Sequence, residues 1–175
     1  AMHSLAHTDP LTGLPNRRGL GLALTEALAH CDPDHLLAVY VMDLDGFKPV
    51  NDQHGHDVGD DLLVAVARRL QGHVRKSDMV ARLGGDEFVV VTDQLTSPQQ
   101  AHEMGQKLLE AFHAPFALQA HTIQVGLTIG YALAPTDSSD AVGLLKLADA
   151  AMYTGKQGGK FRVLRNLGDL ALSSR

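Results

Sequence analysis

Two adjacent carboxylates directly follow a pair of glycines in residues 82–88, which read Arg-Leu-Gly-Gly-Asp-Glu-Phe. The flanking residues are mostly apolar, and a Gly-Gly pair between two such runs predicts a hairpin turn, because glycine accepts positive φ. Glycine also lets a ligand approach the backbone closely. Asp86 and Glu87 are therefore either solvated acids of a surface turn or acids that act on a ligand, and this motif alone leaves both alternatives open.

A second acidic cluster, Asp43-Leu44-Asp45, follows an apolar run at 36–42 that predicts a buried strand. Period-two geometry puts both carboxylates on one face at the carboxyl end of that strand, where ligands of open sheets tend to bind. Magnesium is usually held by one or two carboxylates plus substrate phosphates, so Asp43 and an acid of the hairpin could share such an ion. A turn or helix cap is the alternative on spacing alone.

Hydrophobic periodicity predicts the elements that position these acids. The predicted helices are 17–30, 57–74, 98–113 and 140–156, and the predicted strands are 36–42, 123–133, 161–164 and the two arms of a hairpin at 79–92. Helices and strands alternate, with one hairpin breaking the alternation. This order predicts an α/β (α+β) fold in which helices flank a central mixed sheet of five strands.

Composition limits the class of protein. A chain of 175 residues is most simply one domain, and its single cysteine, Cys31, excludes an internal disulfide and indicates a reducing compartment. With 20 acidic and 15 basic residues the formal charge is −5, which argues against polymeric nucleic acid as a partner. No apolar run approaches the ~20 residues of a membrane span, so we expect no membrane contact by this domain and a cytoplasmic location.

The signature at 84–88, Gly-Gly-Asp-Glu-Phe, is joined by Asp-Pro-Leu-Thr-Gly-Leu at 9–14 and Asn-Arg-Arg at 16–18. On these motifs the chain resembles GGDEF domains of the diguanylate cyclase family over nearly its whole length. The resemblance implies a mostly antiparallel sheet like that of nucleotidyl cyclases and the palm of polymerases. It also implies the condensation of two GTP molecules into cyclic di-GMP and pyrophosphate.

The resemblance implies a domain organisation as well. We expect a linker remnant and the start of a helix at 1–8, the GGDEF domain at 9–165, and a tail or linker at 166–175. We interpret the chain as a piece of a longer protein with an upstream sensor domain, which could itself be membrane-anchored. Because 129–153 resembles GGDEF domains that often precede a phosphodiesterase domain, a downstream domain of that type could follow.

The metal and acid roles come from the resemblance. It implies that Asp43 and Asp86 are metal ligands, with the carbonyl of Leu44 as a third, and that Asp86 and Glu87 are the signature acids needed for catalysis. Two Mg²⁺ ions per active site, for which Mn²⁺ could substitute, would neutralise the triphosphate and position an in-line displacement at the α-phosphorus.

Further residues are implied to bind GTP. Asn51 and Asp60 correspond to guanine readers, since a carboxylate accepts from guanine N1–H and N2–H₂, which adenine does not offer. A turn residue and a helix N-terminal acid are the alternatives for these two. The implied GTP-binding set is Gly46, Phe47, Lys48, Asn51, Asp60, Gly84, Gly85, Lys156 and Lys160.

Lys156 and Lys160 are implied to clamp the β- and γ-phosphates. They stand four residues apart and face the same way if the predicted helix or its last turn continues that far. A solvated basic helix end is the alternative. The family commonly reads Ala-Lys-x-x-Gly-Arg-Asn, whereas 155–161 reads Gly-Lys-Gln-Gly-Gly-Lys-Phe. Lysine keeps the charge of arginine but loses its bidentate fork, so we expect lower triphosphate affinity.

Arg75 and Asp78 form an Arg-x-x-Asp pattern six residues ahead of Gly84. That placement resembles the product-inhibition site of the family, in which arginine can donate two bonds to a guanine and the carboxylate can take another base edge. A surface ion pair is the alternative. The resemblance thus implies an inhibitory cyclic di-GMP site at Arg75 and Asp78.

Two functions remain open at this point. The first is an active diguanylate cyclase, which must work as a transient homodimer, because the product is two-fold symmetric and the chain supplies one acid set. The second is a weak or inactive module that binds GTP or cyclic di-GMP and regulates a neighbouring domain. A cyclase or polymerase that uses another base is disfavoured by Asn51 and Asp60.

Overall fold

A five-stranded sheet forms the centre of residues 6–165, the part of the chain described by this computed structural model. The strands are β1 (Leu36–Asp45), β2 (Met79–Gly84), β3 (Glu87–Leu95), β4 (Phe116–Leu118), β5 (His121–Ile123), β6 (Gly126–Ala134) and β7 (Val163–Arg165). The order in the sheet is β2-β3-β1-β6-β7, while β4 and β5 form a separate hairpin. Only the β6–β7 pairing within this sheet is parallel, which confirms the predicted mixed, mostly antiparallel five-stranded sheet.

Helices cover both faces of this sheet, as predicted. They are α1 (Arg17–Leu28), α2 (Phe47–His54), α3 (His56–Gly72), α4 (Pro98–Glu110) and α5 (Ala141–Gln157). Alternate residues of β1 enter opposite apolar layers, because successive side chains of a strand point to opposite faces. Tyr40 and Met42 pack on the α3–α4 side, and Val39 and Val41 on the α1–α5 side. Within residues 6–165, no helix combines the length and apolarity needed to cross a membrane.

The segment after β1 differs from the prediction, which places no helix between the strand at 36–42 and residue 57. Gly46 turns the chain with φ 94° and is the N-cap of α2. Pro49 falls in the first turn of that helix, where proline is tolerated because the first N–H groups have no helical partner. The helix is short and polar, and Val50 is its buried residue, so its apolar periodicity is too weak to predict it.

The predicted strand at 123–133 begins too early. Ile123 ends β5, and β6 starts at Gly126 after a break. The β4–β5 hairpin is not predicted, because each of its strands has three residues, too few to show an alternation of apolar and polar side chains. Residues 1–5 and 166–175 lie outside the described part of the chain. Most of the predicted N-terminal remnant and the whole predicted tail fall on them, and those expectations stay predictions.

Candidate functional site

The two acidic clusters meet at one end of the sheet. Asp43 of β1 stands opposite Glu87 of β3 in the antiparallel register, and Asp86 immediately precedes Glu87 in the hairpin turn. Glu87 also pairs with Gly84 across that turn. Strand pairing therefore brings together acids that are more than 40 residues apart in sequence. We call Asp43, Asp86 and Glu87 the acid end.

The hairpin turn is held in place by a charged network. Gly84 and Gly85 have φ of 141° and 50°, the positive values that the sequence analysis expects of them. Arg82 donates from Nε to the carbonyl of Gly85 at 3.0 Å and from Nη1 to Asp9 at 2.8 Å. Burial raises the pKa of Asp9, but hydrogen bonds from Thr12 and the charge of Arg82 outweigh it and leave that pKa below its ordinary value. Asp9 thus fixes the turn through Arg82.

Asp43 has one carboxylate oxygen that is unsatisfied. Its Oδ1 is buried without a hydrogen-bond partner. Burial raises the pKa of Asp43 to about 7; the neighbouring Asp86 and Glu87 act in the same direction, and Lys156 acts against them. Buried polar atoms are normally hydrogen-bonded, so an orphaned carboxylate oxygen among other acids indicates a place for a cation.

Glu87 lies in a different environment from Asp43. Burial and the charge of Asp149 raise the pKa of Glu87, whereas Arg17 lowers it. Arg17, Glu87 and Asp149 line a cleft of about 210 Å³ between α1, β3 and α5. Neither Arg17 nor Asp149 is among the predicted site residues, because each becomes a neighbour of Glu87 only through the packing of its helix.

Lys156 projects from α5 into the acid end. Its Nζ lies 2.7 Å from Asp45 Oδ1, 3.0 Å from the carbonyl oxygen of Leu44 and 3.9 Å from Asp43 Oδ2. The predicted partner Lys160 is not on the same helix, since α5 ends at Gln157. Lys160 is exposed, has φ 61°, and is tied back to the helix end by its own N–H. The helix therefore does not continue as far as Lys160, and the clamp formed by the two lysines stays a prediction.

The predicted guanine readers lie on the two helices that follow β1. Asn51 is in α2, and its side-chain Oδ1 is buried without a hydrogen-bond partner. Gly59 of α3 leaves space for this amide, because a Cβ at Gly59 would lie 1.8 Å from Asn51 Oδ1. Asp60 is the next residue of α3 and is exposed to solvent. An unsatisfied amide and an accessible carboxylate are the groups that a base edge could bind.

Gly46, Phe47 and Lys48 form the start of α2. The first N–H groups of a helix have no partner within it and carry partial positive charge, so this terminus suits an anion. The Lys48 side chain is 88% exposed, and its Nζ is 3.9 Å from Asp52, which leaves it accessible to a ligand.

Arg75 and Asp78 contact each other, and Arg75 also contacts β3. Arg75 Nη2 donates to Asp78 at 2.9 Å, to Thr92 Oγ1 at 2.8 Å and to the carbonyl of Asp93 at 2.7 Å. The Asp78 side chain is 1% exposed, against 51% for Arg75. Both residues line a cleft of about 500 Å³ that also includes Lys107. In this arrangement the guanidinium binds the protein itself.

The acid end provides part of a metal site. In residues 6–165, no group of three or more His, Cys, Asp or Glu side chains could hold a metal ion by itself. Asp43 and Asp86 with the Leu44 carbonyl are hard oxygen donors, and Mg²⁺ commonly completes such a partial set with substrate phosphates and water. The orphaned Asp43 Oδ1 agrees with this donor set, so the residues present fit the ion.

The family profile described as "Diguanylate cyclase, GGDEF domain" matches residues 6–162. The chain belongs to the GGDEF family. The resemblance seen in the sequence is thereby confirmed, and with it the expected type of fold.

Curated relatives of this GGDEF domain carry different names. It is 42% identical over 164 residues to signaling protein YkoW of Bacillus subtilis, covering 91% of this chain and 20% of that protein. Diguanylate cyclase TpbB of Pseudomonas aeruginosa UCBPP-PA14 is 43% identical over 157 residues, and the match covers 87% of this chain and 35% of that protein. Cyclic di-GMP phosphodiesterase PdeR of Escherichia coli K12 is 38% identical over 156 residues, with 89% and 23% covered. The domain thus spans about a fifth to a third of each relative's length.

Solved structures agree with the fold. The GGDEF domain of TpbB (YfiN) from Pseudomonas aeruginosa PAO1 superposes with a TM-score of 0.87 at 38% identity, covering 97% of this chain and all of that one (100%). The GGDEF domain of DgcB from Caulobacter crescentus, solved in complex with cyclic di-GMP, gives a TM-score of 0.80 at 27% identity, with 91% and 95% covered.

Proposed function

We propose that this domain is a diguanylate cyclase, which condenses two GTP into cyclic di-GMP and pyrophosphate. One observation carries the proposal. Among residues 6–165, the buried side-chain oxygens without a hydrogen-bond partner are Asp43 Oδ1 and Asn51 Oδ1. Asp43 is an implied metal ligand, and Asn51 is an implied guanine reader. Because an unpaired buried oxygen costs stability, and because the resemblance implies that both residues serve one nucleotide site, these two atoms favour a bound nucleotide with its cation.

The residues have separate tasks in this proposal. Asn51 and Asp60 bind the guanine, and the first N–H groups of α2 bind phosphate oxygens together with Lys156 and Lys160. Asp43, Asp86 and the carbonyl of Leu44 hold the magnesium ions, which neutralise the triphosphate when bound. Gly84 and Gly85 let the nucleotide approach the hairpin backbone closely.

Glu87 is the proposed general base. It accepts the proton of the 3′-hydroxyl of one GTP while that oxygen bonds to the α-phosphorus of the other. The bond between the α-phosphorus and the bridging oxygen breaks, and pyrophosphate leaves. Burial and the charge of Asp149 raise the pKa of Glu87, which makes its carboxylate a stronger proton acceptor.

Two copies of the domain must cooperate in this reaction. The described residues provide one acid end and one pair of guanine readers, so each copy holds one GTP. The product contains two equivalent phosphodiester linkages, and two-fold symmetry places each 3′-hydroxyl against the opposite α-phosphate. The proposed assembly is therefore a transient homodimer with facing acid ends.

A binding module is the second candidate, and the position of Lys156 favours it. The Lys156 ammonium contacts the Leu44 carbonyl, an implied metal ligand, so it competes with a metal ion for that oxygen. A relative of 38% identity is named as a phosphodiesterase, and a GGDEF domain in such a protein could act by binding alone. In this case the domain binds GTP or cyclic di-GMP without turnover.

Incubation with GTP and Mg²⁺ separates the two candidates. The cyclase is expected to release cyclic di-GMP and pyrophosphate in a ratio of about 1:2, resolved by chromatography with phosphate detection after pyrophosphatase treatment. Omission of the metal should abolish both products. GTP binding that is detected by calorimetry without any product over a day would establish the module instead.

A further inference from the structure

Asp45 is a buried acid without a role in the proposed function. Its side chain is 1% exposed at the end of β1, opposite Gly126 of β6. Thr128 Oγ1 lies 2.9 Å from each of its two carboxylate oxygens. Lys156 Nζ donates to Oδ1 at 2.7 Å, and the backbone N–H of Phe161 donates to Oδ2 at 3.1 Å. Every contact of this carboxylate therefore comes from a side chain or backbone group distant in sequence.

Two of these contacts belong to the two halves of the proposed phosphate clamp. Lys156 lies in the last turn of α5, whereas Lys160 lies beyond the helix in a turn with positive φ. The Phe161 N–H follows Lys160 directly, so its bond to Asp45 fixes the turn that carries Lys160. One carboxylate thus joins the helix end to the following turn, in addition to the bond that the Lys160 N–H donates to the carbonyl of Gly155.

The lysine ammonium keeps capacity for a ligand. An ammonium group has three N–H donors, and Lys156 directs one to Asp45 and one to the Leu44 carbonyl. A third donor is left for a phosphate oxygen. Holding a lysine in advance also removes the cost of ordering its flexible chain when the ligand binds.

We propose that Asp45 is a positioning residue that orients Lys156 and the Lys160 turn toward the β- and γ-phosphates of GTP. The inference rests on the proposed function, since the two lysines contact these phosphates only if the domain binds GTP. Asp45 itself does not touch the nucleotide. Its partner Thr128 fixes the carboxylate from the neighbouring strand, so that both oxygens face the clamp.

The test compares nucleotides that differ only in their outer phosphates. Asp45→Asn keeps the shape of the side chain but removes the charge that holds Lys156. The probes are 3′-deoxy-GTP and 3′-deoxy-GMP with Mg²⁺, because neither has the hydroxyl that would react. Calorimetry is expected to show about a tenfold weaker binding of the triphosphate and an unchanged affinity for the monophosphate, since charge-assisted bonds to the clamp are lost. Asp34→Asn, an exposed acid distant from this site, is the matched control.

Equal losses for both probes would overturn the proposal, because they would mean that Asp45 only supports the fold of the site. Unchanged triphosphate affinity would overturn it as well. If Asp45→Asn does not fold, Thr128→Val decides: it removes the hydroxyl donor with little change in shape, and a loss confined to the triphosphate is expected. Thr128→Ser should restore the affinity. A parent domain that binds neither probe would instead refute the proposed function. Product formation from GTP is measured in a separate assay, so that failure of the proposed function and failure of the Asp45 proposal can be told apart.

Discussion

The acid end and the Arg75–Asp78 pair are both charged, yet they satisfy their charges in opposite ways. At the acid end, Asp43 keeps a buried oxygen without a partner, and its pKa is raised to about 7 by burial and by nearby acids. At the other site, the Nε and Nη2 groups of Arg75 donate to Asp78, Thr92 and Asp93, whereas Nη1 takes no part in these bonds. Sequence alone would rank both as ligand sites.

The difference indicates which site must rearrange before it binds. A group left unsatisfied in the folded protein gains a partner when its ligand arrives, whereas a satisfied group must first give up its contacts. We therefore expect Asp43 to accept a metal ion without giving up a contact of its free oxygen, whereas Lys156 must release the Leu44 carbonyl if that oxygen joins the metal. Binding of cyclic di-GMP at Arg75, which stays a prediction, would either use Nη1 alone or displace an internal bond of Nε or Nη2.

The largest expected effect is at the acid end. Asp43→Ala removes an implied metal ligand, and Glu87→Gln removes the proposed base, so each should lower cyclic di-GMP synthesis by about a thousandfold. Both residues lie at element ends, and we expect the circular dichroism spectrum to be unchanged. Asp34→Asn serves as the control. Synthesis near the parent rate in either variant would mean that the acids are solvated and not catalytic.

At the Arg75–Asp78 pair, we expect a substitution to change the stability of the fold. Arg75→Ala leaves the buried Asp78 carboxylate with the backbone N–H of residue 75 but without its guanidinium partner. We expect the free energy of unfolding to fall by about 2 kcal/mol, less than for a fully buried pair because Arg75 is half exposed. Urea denaturation measures this, with the exposed neighbour Lys76→Ala as control. If the free energy of unfolding falls no more than in the control, the contacts of the Arg75 guanidinium contribute little to stability.

The raised pKa of Asp43 gives a pH-dependent prediction. Its pKa is raised from 3.8 to about 7, first by burial, so the folded protein holds the proton more tightly than the unfolded chain does. The stability of the parent should therefore decline as pH rises from about 4 to above 7, in metal-free buffer. Asp43→Asn lacks this decline, and we expect it to be more stable than the parent by about 1–2 kcal/mol at pH 8, with the difference vanishing near pH 4. Parallel profiles of stability against pH for the parent and Asp43→Asn would contradict the raised pKa of Asp43.

The smallest stability change is expected at Asn51. Its unsatisfied amide contributes little to the fold, so Asn51→Ala should change the free energy of unfolding by no more than about 0.5 kcal/mol. The preference for GTP over ATP should nevertheless fall by about tenfold, because a base-reading bond is lost. Fluorescence competition with both nucleotides measures it. An unchanged preference would assign Asn51 to the packing of α2 against Gly59.

Much of the fold follows from local sequence, and much of the site does not. A continuous apolar run at 36–42 predicts β1, and Gly84-Gly85 predicts the hairpin, because these signals involve neighbouring residues. Helix α2 is missed since it is short and polar. The partners of Asp45 are missed for a different reason: Thr128, Lys156 and Phe161 are 83, 111 and 116 residues away in sequence. Only the folded chain brings them together.

In the proposed reaction, one domain holds one GTP at its acid end, and two domains must meet to make the product. The most direct test is the rate of cyclic di-GMP synthesis per domain, measured with saturating GTP and Mg²⁺ across a hundredfold dilution of the protein. We expect a specific rate that rises with protein concentration, and that rises further when a parallel coiled coil is fused before Leu5. A constant specific rate in a sample shown by light scattering to be monomeric throughout would contradict it.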